Sequence, residues 1–203
     1  IINSVPRMLT FPNSFTIQFI KTYFKRIRDQ FPGYKLPNKL KYPSEEDVLR
    51  TFSSEWKNYD WDGESYWSLN AETMFRVMHH VLDLEMNPID GKLLLEVGTG
   101  IGATANSLVN NNTCELVGMD LSYAIDVANH HFGSNPFLHF VQASAFSPPY
   151  QKETFDFVYS FGVLHHTFST KKAFSSVSKY PKKGGKLFLW VYSHKNEKRN
   201  ILR

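Results

Sequence analysis

The sequence predicts an α/β fold with a doubly wound, mostly parallel sheet, and three observations carry that prediction. From about residue 92, short apolar runs alternate with helical segments. A glycine-rich turn, Gly98-Thr99-Gly100-Ile101-Gly102, separates the first run from the first helix. An aspartate, Asp120, ends the second run. Alternation of this kind places helices on both faces of a parallel sheet, and ligands of such sheets bind beyond the carboxyl ends of the strands.

The elements follow in chain order. Residues 1–44 contain Pro6, Pro12, Pro32, Pro37 and Pro43, a spacing that breaks long helices. One basic amphipathic helix fits within them, Phe15 to Arg28, with Phe15, Phe19, Tyr23 and Ile27 on a face. This segment reads as an extension, and residues 45–203 as the main domain. Ser44-Glu45-Glu46-Asp47 reads as a helix start, because a serine can cap and carboxylates suit the positive end of the helix dipole. An aromatic stretch follows: Phe52, Trp56, Tyr59, Trp61, Tyr66 and Trp67. A helix is expected from about Asn70 to Met86, with Met74, Met78, Val81 and Leu82 on one stripe.

Five strands are then expected: Lys92 to Val97, Glu115 to Met119, Phe137 to Val141, Phe155 to Ser160, and Lys186 to Tyr192. Helices are expected over about Ala103 to Val109, Ser122 to His131 and Lys171 to Tyr180. Only eleven residues, Ser193 to Arg203, follow the fifth strand, and most are polar or charged. They are too few for a helix and two more strands of ordinary length. The sheet is thus expected to stop, truncated, after its fifth strand within this sequence, and the family resemblance given below, which implies two strands more, leads to the expectation that the natural chain continues past Arg203.

Composition bounds the class. Of 203 residues, 42% are hydrophobic and 15% aromatic, enough for a sizeable core. No run of 18 apolar residues occurs, so no transmembrane helix is expected. The single cysteine, Cys114, cannot form an internal disulfide and reads as a small buried residue in a reducing, cytoplasmic setting. No cysteine cluster offers a zinc site, so no metal is expected. The net charge is +4. Basic residues gather at Lys21, Lys25, Arg26, Arg28, Lys35, Lys39 and Lys41, and again at Lys195, Lys198, Arg199 and Arg203. Solvated faces are the plain reading and contact with nucleic acid the sharper one.

The glycine turn has a physical reason. The chain must turn sharply from strand to helix, and its backbone must let a ligand approach with no Cβ in the way. The helix start then offers free N–H groups. Gly98, Gly100 and Ala103 also satisfy the dinucleotide form G-x-G-x-x-G/A. Glu96, two residues before the first glycine, points elsewhere. A carboxylate is unwelcome beside an anionic pyrophosphate, but it suits the ammonium and sulfonium of S-adenosylmethionine (SAM). Asp120 can accept both hydroxyls of a ribose, in either cofactor.

The segment Glu96-Val97-Gly98-Thr99-Gly100-Ile101-Gly102 resembles motif I of the class I SAM-dependent methyltransferases. Three later segments continue the likeness. Val141-Gln142-Ala143-Ser144-Ala145-Phe146-Ser147-Pro148-Pro149-Tyr150 comes first, then Phe155-Asp156-Phe157-Val158, then Val163-Leu164-His165-His166. Order and spacing resemble the type 11, small-molecule branch of that family over about half the chain. The resemblance implies that Glu96, Gly98, Thr99, Gly100, Gly102, Asp120, Leu121, Ser144, Ala145 and Ser160 bind SAM. Leu121 would pack on adenine. It implies His165 as an acceptor-side base or orienter, following the fourth strand.

The family usually carries an aspartate at Ser144, which accepts a hydrogen bond from the adenine amino group. Serine accepts without charge assistance. Ser147-Pro148-Pro149-Tyr150 also reads like the motif of methyltransferases that modify amino groups of DNA bases, but it precedes the fourth strand instead of ending it. Phe52-x-x-x-Trp56 resembles an arrangement in bacterial methyltransferases acting on small metabolites or glycan precursors. A small-molecule acceptor is therefore expected. An RNA methyltransferase using the basic extension, an NAD-dependent oxidoreductase and a non-catalytic SAM-binding module are the alternatives.

Overall fold

Leu94 and Leu95 are neighbours in one strand, yet they lie in different cores. Side chains alternate across a sheet, so a strand apolar at consecutive positions is covered on both faces. The computed structural model describes residues 1–35, 44–57, 59, 65–66 and 68–192. Trp61, Trp67, Lys39, Lys41 and the cluster Lys195, Lys198, Arg199 and Arg203 lie outside the described residues.

The chain runs α1 (Ser14–Gln30), α2 (Ser44–Lys57), β1 (Ser65–Tyr66), β2 (Leu69–Asn70), α3 (Ala71–Val81), β3 (Leu93–Val97), α4 (Ala103–Asn111), β4 (Glu115–Asp120), α5 (Ala124–Phe132), β5 (Leu138–Gln142), β6 (Phe155–Phe161), a short 3-10 turn (Leu164–His166), α6 (Thr170–Val177) and β7 (Pro181–Trp190). β3 to β7 form a parallel sheet in the order β5-β4-β3-β6-β7. The order reverses between β3 and β6, so this is the doubly wound sheet that the sequence predicts. Among the described residues it has five strands, with β7 at one edge.

One face of the sheet carries Leu94, Leu116, Phe140 and Phe157 against Met74 and Met78 of α3, Ala105 and Leu108 of α4, and Ala128 of α5. The other carries Leu95, Val97, Met119 and Val158 against Leu164 and against Ala173 and Val177 of α6. Residues 1–13 lie against the domain: Val5, Leu9 and Phe11 are buried, and Arg7 pairs with Asp126. From Asn13, which caps α1 by accepting from the Thr16 N–H, the helix leads into solvent. Tyr23, Phe24 and Lys25 on it are exposed.

Three boundaries differ from expectation by three residues or more, each for a local reason. α3 stops at Val81 and not at Met86. Asp83 adopts φ +52°, and the Leu84 N–H turns back onto the His79 carbonyl. Such a left-handed residue closes a helix by satisfying its last carbonyls. α6 stops at Val177, short of Tyr180, whose hydroxyl donates instead to the Pro148 carbonyl. β7 begins at Pro181, ahead of Gly184-Gly185. Its register against β6 shifts between Phe155 and Phe157, and Gly184 at φ +78° absorbs the irregularity.

Candidate active site

A cleft of about 760 Å³ opens at the carboxyl ends of β3, β4 and β5. Adjacent strands are spaced by about 4.8 Å. Three polar side chains therefore stand in a row along its floor: Glu96 from β3, Asp120 from β4, and Ser144 just after β5.

Glu96 is 3% exposed. Its carboxylate accepts hydrogen bonds from Thr99 Oγ1 at 2.6 Å and Thr104 Oγ1 at 2.6 Å. Burial pushes its carboxyl up to about 7, against the opposing pull of those two hydroxyls. A buried carboxylate held this way is a site for a cation, because a positive partner restores the charged form. Asp120 accepts from the Gly100 N–H at 2.9 Å and from the Ser122 N–H and Oγ, both at 2.7 Å. Burial raises its carboxyl too, and these bonds oppose the shift. Asp120 thus ties the glycine turn to the end of β4.

The glycines divide the work of the turn. Gly98 has φ +85°, and a Cβ there would lie 2.4 Å from both methyls of Val163. Gly100 faces the cleft, and its nearest neighbour across it is Trp56. Gly102 is the N-cap of α4 at φ +81°, where a Cβ would meet Phe140 at 2.9 Å. Gly102 lets α4 approach β5 and does not line the cleft, unlike the role that the motif implies.

Of the other expected residues, Gly98, Thr99, Leu121, Ser144 and Ala145 line the cleft. Ser160 does not. It is fully buried, and its Oγ donates to the Val97 carbonyl at 2.8 Å, joining β6 to β3. His165 is not among the lining residues either. The 3-10 turn separates Leu164 from the two histidines, whose rings stay side by side with centroids 4.0 Å apart. Leu164 enters the core, His165 packs on Tyr192 with ring centroids 4.0 Å apart, and His166 reaches the cleft, edge-on to Phe52. Burial lowers the His165 pKa, and neighbouring His166 adds to the shift. Ser147-Pro148-Pro149-Tyr150 is occupied in packing: Tyr150 meets Phe155 and Tyr180 edge-on. Cys114 is buried, as expected.

The opposite wall comes from α2, β1 and the end of β7. Phe52 and Trp56 of α2, Tyr66 of β1, and Trp190 and Tyr192 line it. Trp56 stacks on Tyr66, and Tyr59 touches both rings edge-on. The row of aromatics was visible in the sequence, but not which rings face the cleft. Glu45, buried at the start of α2, also lines it, and its sequence position suggested only a helix start.

Comparisons with known proteins agree with this geometry. Residues 95–189 match the methyltransferase domain family. Sterol 24-C-methyltransferase of Candida albicans is 28% identical over 127 residues, which cover 60% of this chain and 34% of that protein. A tRNA U34 carboxymethyltransferase of Pseudoalteromonas atlantica is 27% identical over 152 residues, covering 73% of this chain and 42% of that protein. The chain thus spans well under half the length of both. The structure of Haemonchus contortus phosphoethanolamine N-methyltransferase 2, solved with phosphomonomethylethanolamine and S-adenosylhomocysteine, is similar at a TM-score of 0.55. It shares 22% identity and covers 70% of this chain and 36% of that one. The sheet order, with the cleft at its switch point, agrees with the fold of that solved structure, and the match to the methyltransferase domain family spans a little under half of the chain, residues 95–189.

Proposed function

We propose that this protein binds SAM in the cleft and moves its methyl group to a small-molecule acceptor that is uncharged or cationic. The observation that carries the cofactor reading is Glu96, a buried carboxylate beside a glycine turn with no Cβ over the cleft at Gly100. It fits the amino acid part of the ligand, with its positive ammonium. Asp120 fits the ribose one strand over, and Leu121, Ser144 and Ala145 fit the base.

Bound SAM supplies an electrophilic methyl on sulfur. The residues here have to orient the acceptor in line with it and exclude water. Trp56, Tyr66, Phe52 and Trp190 make a wall suited to both tasks. His166 lines the same cleft and is the histidine placed to hold or take an acceptor proton. His165 faces Tyr192 instead and acts on the position of its neighbour.

The acceptor's charge follows from the lining. Glu96 and Asp120 face the proposed cofactor, Glu45 and Glu55 add carboxylates to the lining, and among the described lining residues there is no lysine or arginine. A phosphorylated acceptor or a nucleic acid backbone would meet negative charge inside a partly desolvated cleft. The relative that acts on tRNA and the basic residues Lys21, Lys25, Arg26 and Arg28 of α1 support a second reading, with RNA held outside the cleft.

Among the described residues no helix is long and apolar enough to cross a membrane. We take the cytoplasm as the setting for the reaction.

One experiment tests both readings. Labelled SAM is supplied with a fractionated metabolite extract and, separately, with total RNA, at rising salt. Methyl transfer to neutral or amine metabolites, insensitive to salt, is the expected result. Transfer to RNA alone, falling steeply with salt, would replace the small-molecule acceptor with the second reading.

A further inference from the structure

In the parallel pair of β3 and β6, Glu96 stands in register with Tyr159. Two residues back, the pair Leu94 and Phe157 lies in the core beneath α3 and α4. Side chains alternate along a strand, so Glu96 and Tyr159 share that face. Glu96 lines the cleft and Tyr159 does not. The tyrosine is fully buried, with its ring edge-on to Phe157.

A phenylalanine would fill such a place at no polar cost. Tyrosine brings a hydroxyl into the core, and a buried hydroxyl is costly unless something accepts its proton. This hydroxyl is sealed from solvent and makes no close hydrogen bond elsewhere. The polar group within its reach is the Glu96 carboxylate on the neighbouring strand. Burial, and after it the Glu96 charge, hold the hydroxyl protonated well above the usual tyrosine range, so it stays a donor.

The groups acting on Glu96 reach it from every side. Burial raises its carboxyl. Thr104 from α4, Thr99 from the glycine turn and Tyr159 from β6 pull it down, and the Asp120 carboxylate from β4 adds to the rise. α3 covers this face of the sheet with Met74 and Met78, which carry no charge. Thr99 and Thr104 belong to the segment that the glycine spacing marks. Tyr159 reaches the same carboxylate from the next strand.

We propose that Tyr159 is the positioning residue of Glu96: its hydroxyl donates to the carboxylate and aims it at the positive charge of the ligand. It acts through Glu96 and does not touch the ligand itself. This rests on the reading of the cleft as a SAM site. Tyr159 thereby helps to set the lower pH limit of cofactor binding. Without its hydroxyl the carboxylate is harder to ionise, so affinity falls at neutral pH and is kept at alkaline pH.

Calorimetry of S-adenosylhomocysteine from pH 6 to pH 9, on the full 203-residue chain, tests this with wild type and Tyr159→Phe. Wild-type affinity is expected to rise to a plateau through a midpoint of about 7. Tyr159→Phe keeps the ring and removes the hydroxyl. Its midpoint should move up to about pH 8, the effect of one hydrogen bond to a charged group. Affinity at pH 7 should then fall about fivefold, while at pH 9 the two proteins agree within about twofold. A purely structural hydroxyl would leave the midpoint in place, or weaken binding equally at both pH values. Either result in a folded variant overturns the proposal and leaves the SAM reading standing. A wild type with a flat profile separates Glu96 from the ligand's charge and overturns the proposal with it. A wild type that does not bind S-adenosylhomocysteine overturns the SAM reading and the proposal together. If Tyr159→Phe fails to fold, 3-fluorotyrosine at position 159 takes its place. It is nearly the same size and a stronger donor, so the midpoint should move below the wild-type value. An unmoved midpoint there likewise sinks the proposal.

Discussion

The floor of the cleft and its opposite wall are built by different means. The floor comes from consecutive residues at the ends of β3, β4 and β5, where strand, turn and helix start are fixed by local backbone geometry. The wall comes from α2, β1 and the end of β7, brought together by side-chain packing over long sequence distances. Ser144 meets Glu45 across 99 positions, and the Tyr123 N–H meets Ser53 Oγ across 70. A floor of this kind leaves a spaced motif in the sequence, and a wall of this kind leaves only a composition.

The largest expected effect lies in the floor, where backbone and packing coincide. Gly98→Ala forces a Cβ to within 2.4 Å of Val163 at φ +85°. Overpacking of about 1–3 kcal/mol and left-handed strain of about 1–2 kcal/mol should add. Urea denaturation should show a loss of about 3 kcal/mol. Gly100→Ala, whose Cβ would sit 3.4 Å from Trp56, should lose about 1–2 kcal/mol, from its φ alone. Equal losses in the two variants would show that Val163 moves aside freely.

Next comes Asp120→Ala. It removes an acceptor from the proposed ribose contact and frees the Gly100 N–H and Ser122 from their partner. Affinity for S-adenosylhomocysteine should fall by about ten- to hundredfold, as for a charge-assisted bond of about 1.5–3 kcal/mol. Normal binding by a folded variant would mean that the ribose is held elsewhere.

These two predictions concern residues that were legible in the sequence. The sheet, its doubly wound order and the row Glu96, Asp120 and Ser144 could be read because short apolar runs and glycine turns reflect local geometry. Gly102 and Ser160 belong to the same motifs but pack instead, since a motif records the turn as a whole and not which Cβ faces the ligand. Sequence shows no rotation within a three-residue 3-10 turn, so it does not tell which of His165 and His166 lines the cleft. Glu45 looked like any helix-starting carboxylate, and only tertiary contact turns it inward.

A third effect follows from Glu96. Its carboxyl stands at about 7 in the free protein against an ordinary 4.5, raised by burial. The protonated form therefore favours the unliganded fold. That contribution is complete below about 4.5 and is lost as pH rises through about 7, on the order of 3 kcal/mol. A cationic ligand requires the ionised form, so its affinity moves the other way. Between pH 6 and pH 8 the affinity for S-adenosylhomocysteine should rise about tenfold and then level off. A flat profile would separate Glu96 from the ligand's positive charge.

The smallest effect is that of His165, and its neighbour His166 supplies the contrast. His165→Ala, away from the cleft lining, should lower kcat by less than about tenfold, whereas His166→Ala should lower it by about a hundredfold if an acceptor proton is transferred. The reverse order would return the acceptor-side role to His165.

The central claim is that the floor of the cleft holds an adenosyl ligand with a positively charged amino acid tail, and not a dinucleotide. Calorimetry of S-adenosylhomocysteine against NAD, on the same protein at pH 8, tests it most directly. Micromolar or tighter binding of S-adenosylhomocysteine, with NAD at least a hundredfold weaker, is the predicted result, on the order of 3 kcal/mol of discrimination. Tight NAD binding with none of S-adenosylhomocysteine would contradict it.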